Sequence, residues 1–111
     1  MKYDLFVSDY DGTLGFGENI NEASLDAIKE FVKRGGKFAV CTGRPYSSIY
    51  DICIKHGLEI LVASYQGSSI IDVKTEKDIF SGGLEYKDAA EIAKRFYDDG
   101  FGPVVFIDHG M

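Results

Sequence analysis

Short apolar runs alternate along this chain with stretches that are apolar on one side only. The run "YDLFVSD" (residues 3–9) reads as a buried strand. In "NEASLDAIKEFVKRGG", Leu25, Ile28, Phe31 and Val32 fall on one helical face and Gly35-Gly36 supplies the stop. "KFAVCTG" (37–43) predicts a second strand. Pro45 suits a first helical turn, and Ile49, Ile52, Cys53 and His56 line one face of the helix that Gly57 ends. "EILVAS" (59–64) predicts a third strand, and "GSSIIDVKTEKDIFSGG" two short strands around a polar turn near Thr75-Glu76-Lys77. "EYKDAAEIAKRFYDDG" predicts a helix with Ala89, Ile92, Ala93 and Phe96 on one face, and "PVVFID" (103–108) a last strand.

Strands separated by helices of this length imply right-handed crossovers and a parallel sheet, hence an α/β fold of the three-layer, Rossmann-like kind. We place residues 1–81 in a core of strand-helix repeats and a hairpin. Residues 82–111 form a βα unit of different character. Ligands of such sheets bind beyond the carboxyl ends of the strands. Asp9-Tyr10-Asp11 and Thr42-Gly43-Arg44 both fall at such ends, so two motifs meet on one rim.

The chain has 111 residues, 45% hydrophobic and 27% charged, with a formal net charge of −6. One domain, or one domain and part of another, fits that length. The acidic balance argues against nucleic acid and anionic membranes as partners. No apolar run reaches membrane-spanning length, and no signal peptide is evident. Cys41 and Cys53 make no CxxC or metal spacing and read as free thiols of a cytoplasmic protein.

In a continuing strand Asp9 and Asp11 would share a face. Gly12 breaks the strand, so a loop can aim both carboxylates into one pocket. Two acids so close repel, and a cation relieves the repulsion. Magnesium suits, because it binds one or two carboxylates and completes its shell with phosphate and water. The plainer alternative is an ordinary Asp-Gly turn. Likewise Thr42 either binds an anion or satisfies a neighbouring backbone group. Arg44 either reaches phosphate or is a structural charge. His56 and His109 have no triad partner and read as structural.

"DYDGTL" (9–14) and "VCTGRP" (40–45) together resemble the first and second motifs of the haloacid dehalogenase superfamily, in the form common among Cof-like sugar phosphatases. The resemblance implies an incomplete core of that family followed by the beginning of an α+β cap. It implies a magnesium-dependent phosphomonoester hydrolase acting on a sugar phosphate or similar small metabolite. Asp9 would be the nucleophile and form an aspartyl-phosphate. Asp11 would be the general acid and then the base. The Asp9 carboxylate and the Asp11 backbone carbonyl would ligate Mg2+, while Thr42, Gly43 and Arg44 would bind the substrate. Gln66-Gly67 stands where relatives often have Asn-Gly.

The family's third motif, a lysine, and its fourth, an acidic pair, follow the cap. Lys94 and Asp108 lack that context, so the chain reads as ending inside the cap. Loss of such an electrostatic stabiliser costs on the order of a hundred-fold or more in rate. The first strand would then be a sheet edge, which predicts a homo-oligomer through that edge or the cap. Two further readings stay open. One is a catalytically incompetent protein that binds phosphate or a partner; the other is a phosphomutase that uses the same Asp9.

Overall fold

The computed structural model describes residues 2–107. Its strands and helices run β1 (Leu5–Asp9), β2 (Gly15–Phe16), β3 (Asn19–Ile20), α1 (Glu22–Lys33), β4 (Lys37–Cys41), α2 (Tyr46–His56), β5 (Leu61–Ser64), β6 (Ser69–Asp72), β7 (Lys77–Ser81) and α3 (Tyr86–Asp98). A single turn of 3-10 helix, Tyr65–Gly67, joins β5 to β6. The main sheet has the order β1-β4-β5-β6-β7. β1, β4 and β5 are parallel, whereas β6 and β7 add to the edge as an antiparallel hairpin. The result is an α/β, Rossmann-like sheet.

Local chemistry sets the helix ends. The Asn21 side chain accepts from the amides of Ala23 (2.8 Å) and Ser24 (3.4 Å), which caps α1. Gly57 ends α2 in the left-handed region at φ 66°, where a residue with a Cβ is strained. Leu25 and Ile28 of α1 and Tyr46, Ile49, Ile52 and Cys53 of α2 are buried. They join Phe38 and Val40 of β4, Val62 of β5, and Ile60, Ile71 and Val73 in one core cluster. Right-handed crossovers between strands ordered β1-β4-β5 bring both helices to the same sheet face. Each fully buried side chain of this size contributes roughly 1.5–3 kcal/mol.

Two expectations from sequence need correction. The first strand begins at Leu5 and is not buried: Leu5, Phe6 and Val7 are 54%, 53% and 55% exposed. β1 has one sheet neighbour, β4, and is the sheet edge expected from sequence, so one flank is open. Phe6 keeps some cover by stacking on Phe38 at 5.3 Å. The strand expected over 103–108 is absent over 103–107, because a strand exists only through pairing and these residues have no sheet neighbour. Asp108 and His109 lie outside the described residues. The apolar face of α3 forms as predicted but is not buried, and Ile92 and Phe96 stay about half exposed. Among the described residues no helix is long and apolar enough to cross a membrane.

Cys53 puts a thiol in the core. Burial pushes the Cys53 thiol from 9.0 up to about 12, and burial likewise takes the Tyr46 hydroxyl to about 12. Above pH 9 the unfolded chain therefore releases protons that the folded chain retains. Stability is fully present below that pH and falls as pH rises toward 12. The thiol alone predicts a loss of about 2 kcal/mol by about pH 10.5. Urea unfolding at neutral and alkaline pH measures it, and Cys53→Ala flattens the alkaline slope.

Candidate active site

β1 and β4 lie parallel with Asp9 opposite Cys41. The next residues on each strand are Tyr10-Asp11 and Thr42-Gly43-Arg44, so the two motifs leave the sheet side by side. Tyr10 is only 1% exposed. Its hydroxyl donates to the Gly17 carbonyl at 2.6 Å, under the β2–β3 hairpin. A side chain on Gly15 would place its Cβ 2.6 Å from the Tyr10 ring. With Tyr10 turned into the core, the alternation of the chain sends Asp9 and Asp11 outward, and both are exposed. The Tyr10 carbonyl accepts from the amides of Thr13 (3.1 Å), Leu14 (3.0 Å) and Gly15 (3.0 Å), and Gly12 makes the turn at φ +75°.

The two acids have different surroundings. Asp9 faces solvent, with the Thr13 hydroxyl donating to its Oδ2 at 3.5 Å. Asp11 is held by Arg44: Nε donates to Oδ2 at 2.9 Å and Nη2 to Oδ1 at 2.6 Å. Nη1 donates to the Ser48 hydroxyl at 3.0 Å, and the guanidinium lies 5.1 Å from the centre of the Tyr10 ring. The Arg44 hydrogen bonds hold the Asp11 carboxyl below the usual carboxylate range.

Thr42 is buried, and its Oγ1 accepts from the Arg44 amide at 3.1 Å. Its own amide donates to the Ala63 carbonyl at 2.9 Å. A Cβ on Gly43 would lie 2.7 Å from Nε2 of Gln66, so the Gln66 side chain covers the glycine. The backbone binds the two loops as well: the Gln66 amide donates to the Thr42 carbonyl (2.8 Å) and the Tyr65 amide to the Arg44 carbonyl (3.2 Å). Tyr65 and Gln66 both have positive φ, 50° and 59°, a strained pair beside the rim. His56 lies elsewhere, its Nε2 3.0 Å from the Glu18 carbonyl. Lys94 pairs with Asp98 on α3 at 2.7 Å.

Sequence reasoning missed Tyr10, Ser48 and Tyr65. The Gly-x-Gly stretch at 15–17 carried a usable signal for Tyr10, since a bulky neighbour needs small residues around it. Nothing in the sequence announced the Arg44–Asp11 pair, which joins residues 33 positions apart. Two surface clefts, one against α1 and one against α2, are lined by Leu58 and Glu59 ahead of β5 and lie at the opposite end of the strands from this rim.

Among the described residues no three His, Cys, Asp or Glu side chains form a metal cage. The rim offers the exposed Asp9 carboxylate and the adjoining Asp11 backbone, while the Asp11 carboxylate is taken by Arg44. That set fits a magnesium ion drawing most of its ligands from substrate phosphate and water.

Fold and rim together define an α/β protein with both motifs at the strand ends of a Rossmann-like sheet, where ligands of such sheets bind. The chain belongs to the haloacid dehalogenase-like hydrolases: the sequence profile of that family matches residues 6–111. A protein assigned as a phosphatase, encoded in the upp 3′ region of Metamycoplasma hominis, is 35% identical over 69 residues, which are 60% of this chain and 24% of that protein. A haloacid dehalogenase-like hydrolase from B. subtilis superposes with a TM-score of 0.77 at 23% identity, covering 86% of this chain and 34% of that one. A sugar phosphatase of subclass IIB superposes with a TM-score of 0.63 at 20% identity, covering 88% of this chain and 38% of that one. This chain thus spans about a quarter of the curated relative's length and a little over a third of the solved structures'.

The Tyr10 anchor makes Gly15 a sensitive position. Gly15→Ala forces the buried ring to move and should cost about 1–3 kcal/mol. A drop in thermal midpoint, together with chemical-shift changes across residues 9–17, would register it.

Proposed function

We propose that this chain carries the nucleophile side of a magnesium-dependent phosphomonoesterase acting on a sugar phosphate or similar small metabolite. The observation that carries the reading is Asp9. It is an exposed carboxylate at the carboxyl end of β1, in register with the strand that leads into Thr42-Gly43-Arg44. Likeness to a sugar phosphatase supports the substrate class through the fold. Two free thiols, Cys41 and Cys53, suit a reducing cytoplasm.

In this reading an Asp9 oxygen attacks phosphorus and the bond from phosphorus to the ester oxygen breaks. Asp11, protonated, gives its proton to the leaving alkoxide. Water then attacks the aspartyl-phosphate and Asp11 takes up its proton, which regenerates Asp9 and releases phosphate. The Thr42 hydroxyl and Gly43 amide orient the phosphoryl oxygens, and Arg44 supplies positive charge. The Asp9 carboxylate and the Asp11 backbone carbonyl would hold Mg2+, which when bound would supply positive charge against the repulsion between two anions.

Asp9→Asn removes the nucleophile at nearly constant shape. With Mg2+ and a phosphomonoester present, turnover should fall by more than about a thousand-fold. Equal turnover in wild type and variant would overturn the assignment. A chain that binds phosphate without turning over an ester is the second reading, and the ion pair on Asp11 favours it, because a carboxylate bonded to Arg44 is a poor proton donor. Transfer of phosphate between sugars in place of release to water would mark a phosphomutase.

β1 presents Leu5, Phe6 and Val7 beside backbone groups that no second neighbour covers, and we propose self-association through this edge or through the exposed face of α3. Sedimentation should give an apparent mass that rises with concentration. A folded monomer at the highest concentration would refute it.

A further inference from the structure

We propose that Arg44 is a phosphate-gated latch on Asp11: an arriving phosphomonoester takes over the guanidinium and so releases the Asp11 carboxylate to face the leaving-group oxygen. The inference rests on the phosphate-binding rim described above. It assigns a coupling between two residues that neither motif contains by itself.

A guanidinium has five N–H donors in a fixed plane, and each of its two-donor edges grips one oxyanion at a time. Here Nε and Nη2 are bonded to the two oxygens of Asp11, and Nη1 to Ser48. The Nε–Nη2 edge is held by a carboxylate of the same protein, and both Asp11 oxygens accept from it. A phosphate that takes this edge must displace Asp11, so on this edge the two anions compete.

The exchange needs only side-chain motion. The Arg44 backbone is tied at both ends, its amide to Thr42 Oγ1 at 3.1 Å and its carbonyl to the Tyr65 amide at 3.2 Å. The Tyr10 ring supports the guanidinium from one side, at 5.1 Å. The pair is also accessible, with side-chain exposures of 28% for Arg44 and 54% for Asp11. An ion pair so open to water is weak. A phosphate dianion, with more charge and more acceptor oxygens, is the stronger partner for the same fork. Ser48 keeps the far nitrogen in place during the exchange.

Inorganic phosphate tests the latch without turnover. The full chain is titrated with phosphate at constant Mg2+, while the Arg44 Nε–Hε resonance and the affinity are followed together. Saturating phosphate should shift that resonance in wild type. Asp11→Asn opens the latch and should tighten phosphate binding by at least about fivefold. That gain should disappear when Arg44→Gln is added, because no fork remains to be released. An equal gain in both backgrounds would reveal a plain charge effect and overturn the proposal. So would an unmoved Arg44 resonance, or an Asp11→Asn variant that binds no phosphate. If Arg44→Gln fails to fold, Arg44→Lys serves: it keeps the charge without the fork, and the gain from Asp11→Asn should shrink at least twofold, roughly. Coupling without ester turnover would sink the phosphatase reading and leave the latch standing. Turnover that depends on Asp9, without coupling, would do the reverse.

Discussion

The burial of one tyrosine decides what this rim can do. Tyr10 stands between two acids, and its ring is almost wholly in the core with the hydroxyl tied to Gly17. A chain that alternates sides must then expose both neighbours. Two like charges are brought together at the end of a strand without any direct attraction between them, because the energy that holds them there comes from an apolar ring one residue away. Gly12, Gly15 and Gly17 serve that placement: the first turns the chain, the second leaves room for the ring, and the third lends its carbonyl.

The second loop reaches the same place by another route. Parallel pairing fixes Asp9 opposite Cys41, and nothing further is needed to bring Thr42 alongside. A third loop then fastens the second. Tyr65 and Gln66 adopt left-handed backbone at a steric cost, and in that shape their amides reach the carbonyls of Arg44 and Thr42. Strain of this kind persists where surrounding bonds over-determine it. Here the bonds end on the very residues that the rim presents.

Much of this was legible in the sequence, and what was not has physical causes. Helix faces and stops could be read because they depend on spacing within a dozen residues, and Asn21, Gly57 and the apolar positions of α1 and α2 are local signals. The two motifs could be placed on one rim because strand-end position follows from topology. The edge position of β1 could be read, but its burial was overestimated, because an apolar run does not show how little packs against the faces of an edge strand. The absent strand at 103–107 shares that cause, since "PVVFI" has the composition of a strand but no partner to pair with. Arg44 could be read as a phosphate ligand or as a structural charge. It is bonded to Asp11, and that depends on rotamers at two distant positions, which no periodicity encodes.

The rim's geometry does not depend on the surfaces left uncovered. The Asp9–Asp11 loop is held by three amides on the Tyr10 carbonyl, and the Thr42 loop by Ala63 and Gln66. All of these bonds lie within β1, β4, β5 and the turns that follow them. α3 and the segment after it lend none of them: Phe106 meets the Tyr65 ring at 5.2 Å between centroids, while Ile92, Phe96 and Val104 stay exposed. Covering those residues would add no hydrogen bond to the two loops. It would leave the placement of Asp9 beside the Thr42 loop as it is. The placement of the motif residues is thus set by the paired strands and the turns that follow them.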